Sequence, residues 1–271
     1  MSTAEQIELA RQVDDLRAEG AELAELMSKL TEEDWQRRTT FKDWTIYDVI
    51  AHLHFSDHMG MTTIESGAAF QALMADMQSS GLPFVEYTRR WLGSVSGADL
   101  LERWKTLLDE LCDRLQALDP QERLTWAGPG MKPRMFTTAR QMETWAHGWE
   151  IYDCLRLERM HTDRIKNIAA IGVRTFGWTF VNRGLELPGD PPFVRLTAPS
   201  GAIWEWSDPN ADSSVTGSAV EFCQVVTQVR NVADTKLEVT GKPAREWMAI
   251  AQCFAGAPED PPAPGSRRPA G

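Results

Sequence analysis

Three residues of this chain carry donor atoms in a pattern that suits a divalent metal: His52, Glu143 and His147. Glu143 and His147 are four apart, so on a helix both side chains lie on one face, one turn from each other. Beside them Met142, Trp145, Ala146 and Trp149 form an apolar, aromatic stripe. A carboxylate and an imidazole next to such a stripe are costly to bury unpartnered, and a metal ion would satisfy both. His52 follows Val49 by three and precedes Phe55 by three, at the border of another apolar face. Two imidazoles and one carboxylate form a catalytic zinc set when the fourth position is left open. The same donors also suit nickel, iron or manganese. An isolated Glu–His pair at this spacing is more often a solvated or helix-stabilising pair, so periodicity alone leaves both readings open.

The other candidates separate by geometry. At about 100° per residue, His54 and His58 turn about 200° and 240° away from His52 and are expected at the surface or the edge. Asp48 and Glu150 are spaced to orient His52 and His147, although a solvated helix-face carboxylate is the plainer reading of each. The four cysteines are far apart and form no CxxC pair. They read as buried thiols of a reduced, cytoplasmic protein. Cys154 lies two turns past His147 and reads as a packing residue. A nucleophile would therefore come from outside the chain.

The elements that must position these residues follow from patterning. A T-x-x-Q box at Thr3 opens a first helix over about 4–29. Thr31 to Asp34 starts a short turn. Thr45, with Asp48 in the first turn, caps a second helix marked by Ile46, Val49, Ile50 and Leu53. The run Ser79 to Pro83 breaks the pattern. Ser96 caps a third long helix that ends at Asp119-Pro120. After a Gly128-Pro129-Gly130 loop, the T-x-x-Q box at Thr138 opens a fourth helix to about Leu157. Thr162-Asp163 caps a fifth, ending near Gly184. Past Pro188 the pattern changes: strands at 193–197 and 202–206, a helix over 217–230, a strand at 237–240 and a helix over 244–254. The expectation is a mainly α chain: an up-and-down four-helix bundle with an extra helix over 1–187, a small α+β domain over 188–257, and a disordered Pro- and Gly-rich tail over 258–271.

Bulk properties exclude some partners. With 271 residues and 42% hydrophobic content the chain fills one large domain or two modest ones. A formal charge of −11 opposes nucleic acid and anionic membrane surfaces. The N-terminus lacks the basic start and apolar core of a secretory signal. No apolar run approaches the roughly 18 residues of a membrane span.

Two segments resemble a known family. The stretch from Trp44 to Leu53 is similar to the one that carries the first metal histidine in the DinB-like superfamily, and Glu143-x-x-x-His147 to the one that carries the other two ligands. The closer resemblance is to the mycothiol-dependent maleylpyruvate isomerase group, in which a DinB-like metal-binding bundle precedes a small sterol-carrier-like domain. It extends to about Ala257. The resemblance implies an enzyme with a small-molecule substrate: a metal- and mycothiol-dependent isomerase or S-transferase, in which a thiolate adds to an electron-poor alkene. It also implies an arginine of the small domain that helps hold a carboxylate, for which Arg230 is the candidate; Arg89 and Arg90, ahead of the third helix, are the other candidate cations. Two alternatives stand beside it. One is a thiol-independent metal-dependent hydrolase or tailoring enzyme of secondary metabolism. The other is a non-catalytic metal-bearing binding or detoxification module.

Overall fold

The computed structural model describes residues 3–126, 128 and 130–267. The expected cap at the Thr3 side chain, Pro129 of the expected loop and tail residues 268–271 lie outside the described parts. The chain divides into two compact units, one running to Cys154 and the other starting at Leu155.

The first unit is helical. Four long helices carry it: α1 (Thr3–Met27), α3 (Ile46–Glu65), α6 (Gly97–Ala117) and α7 (Pro133–Leu155). Between them lie α2 (Glu32–Trp35), α4 (Gly67–Ser80) and α5 (Phe84–Leu92). The start of α3 is fixed by a reciprocal cap. Thr45 Oγ1 accepts the Asp48 N–H at 3.2 Å, and the Asp48 carboxylate accepts the Thr45 N–H at 2.9 Å. The face of Ile46, Val49, Ile50 and Leu53 is fully buried. Ser96 caps α6, which buries Leu100, Trp104, Leu108, Leu111 and Leu115 and packs on both α1 and α3. Gly81, at φ 62°, ends α4 in the left-handed region that favours glycine.

Helix α7 starts at Pro133, a turn and a half before the expected Thr138. A proline at the first helical position costs nothing, because its missing N–H would have no partner there. Thr138 is instead buried inside the helix. α7 comes close to α3 at Gly60. A Cβ there would lie 3.2 Å from Phe136 and 3.3 Å from Leu111.

The second unit joins helices to a four-stranded sheet. Its elements are α8 (Lys166–Arg174), α9 (Phe176–Val181), β1 (Phe193–Thr197), β2 (Ile203–Trp206), β3 (Ser214–Ser218), α10 (Ala219–Val226), β4 (Glu238–Thr240) and α11 (Lys242–Ile250). The strand order is β2-β1-β3-β4. β1 pairs antiparallel with β2 (Leu196 opposite Trp204) and parallel with β3 (Val194 opposite Val215), and β4 closes the edge antiparallel to β3.

This unit departs from the sequence-based expectations in four ways. The fifth helix is broken at Thr175 into α8 and α9. The stretch from Gly217 begins as the end of β3 rather than as helix. The division of the chain falls at Leu155 instead of near Pro188. Its cause is packing: Gly172 of α8 sits against Val226 and Phe222 of α10, and Phe176 of α9 meets Trp247 of α11 at 5.4 Å. Finally, the tail is held through Arg267 rather than disordered. Gln228 Nε2 donates to the Glu259 carbonyl, Asn231 Nδ2 to the Pro262 carbonyl, and the Gly265 N–H donates to Asp234. A proline-rich strand leaves its carbonyls free to accept such bonds.

Candidate metal centre

α3 and α7 bring His52, Glu143 and His147 together. One ligand atom from each lies within 4.8 Å of the others. His52 Nε2 is 3.4 Å and His147 Nε2 3.5 Å from the same Glu143 oxygen, Oε2. These distances exceed the about 2.7–2.9 Å of a charge-assisted hydrogen bond. They are close to the edge, about 3.3 Å, of a tetrahedron with zinc–nitrogen bonds of 2.0–2.1 Å. Both Nδ1 atoms are buried without a hydrogen-bond partner among the described residues. The two nitrogen–oxygen separations therefore suit a shared divalent ion at Nε2 of both histidines, while the Nδ1 atoms on the far side of each ring bear on ring orientation and not on ligation. The cluster is not sealed: Glu143 keeps 25% of its side-chain surface exposed and His52 15%.

The charge states suit ligation. Burial, then the neighbouring His147, lowers the His52 imidazole to about 4, so at neutral pH it is uncharged. Burial would raise the Glu143 carboxyl, but its bonds to His147 and His52 outweigh that and hold it well below the usual carboxylate range.

An aromatic collar surrounds the imidazoles. Trp44 lies stacked on His147 at 6.1 Å and tilted by 51° to His52 at 5.4 Å. Phe41 meets His147 edge-on at 5.2 Å, and Phe84 of α5 meets His52 at 5.3 Å. Phe41 and Trp44 ride on one tight turn. Within it Lys42 and Asp43 both adopt positive φ, 50° and 59°, and Thr39 and Trp44 are joined through the Thr39 N–H and the Trp44 carbonyl. Two non-glycine residues in that region mark a strained turn that its surroundings hold in place.

A second polar cluster sets the register of α3 against α7. Arg140 Nε donates to Asp57 Oδ1 at 3.0 Å, and Trp104 Nε1 donates to Asp57 Oδ2 at 3.0 Å. Both charged side chains are almost fully buried, at 0% and 3% exposure. Burial raises the Asp57 carboxyl, and Arg140 opposes that shift. Arg140 is three residues before Glu143, and Asp57 five after His52. Sequence reasoning missed this pair. Its signal was present: Asp57 continues the stripe of Ile50 and Leu53, where an unpaired charge cannot sit.

The other sequence candidates take different roles. Asp48 does not reach His52; it caps α3 and holds Arg89 bidentately at 2.6 and 2.7 Å. Arg89 is thereby paired, and Arg90 lies over the Tyr87 ring at 5.0 Å. Glu150 is buried. His54 is buried rather than at the surface, 5.3 Å from the ring of Trp91, because α5 covers that face of α3. His58 is half-buried on the same Trp91. Cys154 is half-buried with Sγ 3.4 Å from the Arg38 carbonyl, and burial pushes its thiol up. Arg230 belongs to the second unit, where it is 3% exposed and donates to the Val229 carbonyl.

Comparison with known proteins places these features. Residues 16–152 match the family described as the mycothiol maleylpyruvate isomerase N-terminal domain. The chain belongs to that family. Two strains of Mycobacterium tuberculosis each have an uncharacterised protein 38% identical over 246 residues, covering 91% of this chain and 96% of the relative. Among solved structures, a mycothiol-dependent maleylpyruvate isomerase superposes with a TM-score of 0.51 at 13% identity, over 80% of this chain and 88% of the other. A histidine-to-alanine mutant of such an enzyme gives 0.52 at 12% identity, with the same coverage. The shared fold is the DinB-like bundle followed by a small α+β part. No described helix is long and apolar enough to cross a membrane.

Proposed function

We propose that this chain is a divalent-metal-dependent enzyme whose centre is His52, Glu143 and His147. On this reading it is a cytoplasmic, mycothiol-dependent isomerase or S-transferase acting on an electrophilic small molecule. The observation that carries the metal part is the convergence of two imidazole nitrogens on one carboxylate oxygen, at distances suited to a shared ion. Zinc is the first choice for two histidines and a glutamate. A bound divalent metal supplies Lewis-acid stabilisation of an anionic nucleophile, a thiolate or a hydroxide.

The chain's own groups do the rest. His52 offers an uncharged imidazole, and Glu143 offsets part of the ion's charge. Phe41, Trp44 and Phe84 keep water from one side, which strengthens electrostatic interactions inside. Asp57 and Arg140 hold the two ligand-bearing helices in register. Among the described cysteines none joins the cluster, so the thiol comes from outside, and family membership supports mycothiol as that thiol.

Elemental analysis of the purified chain should find about one metal per chain. Turnover of electron-poor alkenes should then need added mycothiol. Full metal retention in both His52→Ala and His147→Ala would refute the centre. Turnover without any thiol would refute the mycothiol part and favour hydrolysis.

A further inference from the structure

Beside the proposed centre, α4 and α5 wall a cavity of about 700 Å³. That lies within the range, about 300–1,000 Å³, of small-molecule sites. We infer that this cavity binds the apolar body of an uncharged small molecule, and that this molecule is the substrate of the reaction proposed above. The second clause rests on that reading of the metal centre; the first does not.

The lining argues for the chemistry. Its walls are Phe70, Met74, Met77, Leu82, Phe84 and Trp126. Trp126 stacks on Phe70 with centroids 5.2 Å apart, a flat aromatic surface on which another ring can lie. The methionines are unbranched and polarisable, and adapt to irregular ligand shapes. The polar lining side chains are Gln71, Gln78, Thr125 and Tyr87, all neutral amides or hydroxyls. Tyr87 donates its hydroxyl to Asp76 at 2.6 Å, so its ring remains as the apolar contribution. No charged side chain lines the cavity among the described residues.

A carboxylate laid against these walls would give up part of its hydration to apolar side chains and gain no counter-charge from the lining, so it is disfavoured relative to a neutral group. The two nearby arginines do not change this. Arg89 is held by Asp48, and Arg90 lies over the Tyr87 ring. An uncharged, ring-bearing or alkyl-bearing molecule carries no such penalty, and burying its apolar surface is favourable.

Phe84 connects the cavity to the chemistry. It lines the cavity, and its ring is 5.3 Å from the His52 ring. A ligand held along α4 and α5 therefore shares a wall with the proposed centre. Its apolar body would supply binding energy remote from the reacting atoms.

The test uses the full chain and the neutral fluorescent probe N-phenylnaphthylamine, with metal content measured on the same samples. The wild type should bind the probe saturably, one per chain, with displacement by neutral aromatic competitors and not by maleate. Met74→Arg puts a charge in the wall, and Gln71→Trp plugs the exposed rim without touching the core. Each should weaken probe binding at least tenfold while leaving metal content unchanged. His147→Ala should bind the probe like the wild type, because it does not line the cavity. Absence of saturable binding, unchanged binding in both cavity variants, or displacement by maleate as strong as by neutral competitors would overturn the inference. A chain that binds the probe but holds no metal would support the cavity and refute the metal centre, so the two failures are distinguishable.

Discussion

Two polar clusters join α3 to α7, and they are built on opposite principles. At Asp57 and Arg140 the protein answers its own charges out of water: the carboxylate accepts from Arg140 Nε and the Trp104 indole and lies 2.9 Å from Arg140 Nη2, although Nη2 itself makes no aligned hydrogen bond among the described residues. At His52, Glu143 and His147 it does not. The contacts are long and part of the carboxylate is exposed. The first cluster is a finished joint. The second has the spacing of a socket, and the joint holds the socket's two sides in register. A buried polar group is thus no guide to function by itself; what discriminates is whether its neighbours complete it.

The contrast can be broken by mutation. The largest effect is expected at the joint. Asp57→Ala or Arg140→Ala leaves an unpaired buried charge and should cost about 3–5 kcal/mol in urea unfolding. Replacing both, as Asp57→Leu with Arg140→Met, should cost much less than either single change. Single losses below about 1 kcal/mol would show that the pair is not a closed structural unit.

The socket should respond in the opposite sense. His147→Ala should weaken metal binding by at least about 100-fold, measured by competition with a chelator. In the metal-free chain the variant should cost less than the about 3–5 kcal/mol of the joint, because it loses ring packing and a 3.5 Å contact to a carboxylate that stays partly exposed, and strands no fully buried charge. A large loss of metal-free stability would make this cluster structural.

Asp48 tests the positioning of α3. Burial alone would raise its carboxyl, but the bonds from Arg89 and Thr45 outweigh that and lower it below 3.8. Its stabilisation is therefore full above the unfolded carboxyl value and is lost as pH falls through the lower folded value. Melting curves should show the wild type losing stability below about pH 4, with Asp48→Asn flattening that decline. An identical acid profile in the variant would remove Asp48 from this role. The smallest effect is expected from Arg89→Ala. Arg89 is 53% exposed, so its ion pair should contribute about 1 kcal/mol or less, and metal content should not change.

The sequence made much of the socket legible and little of the joint. Glu143 and His147 sit at a spacing that any helix converts into adjacency, and His52 borders an apolar stripe. Asp57 could be flagged as a charge inside a stripe, yet nothing local names Arg140 as its partner, 83 residues away in the chain. The collar was harder still. Phe41 and Trp44 reach the imidazoles through a turn whose positive φ values fall on Lys42 and Asp43, residues with no glycine-like signature. In the second unit β3 was hidden because Val215 is its only large apolar residue, and helix α10 follows it directly. The tail misled for a compositional reason. Proline-rich segments are often disordered, but here side chains of residues 228 and 231 capture its carbonyls.

Gly60 gives the socket a property that its ligands do not hold alone. It lies eight residues past His52 on α3, about 12 Å along the helix axis, where α3 approaches Phe136 of α7. The atoms nearest to that position are the tips of Phe136 on α7 and Leu111 on α6, so the missing side chain lets three helices meet there. Divalent ions differ in bond length by only a few tenths of an ångström. A Cβ at Gly60 would press its neighbours by a similar amount. At the centre proposed above, Gly60→Ala should therefore shift the relative affinities for zinc and manganese and leave overall binding intact, so that packing remote from the ligands would tune selectivity.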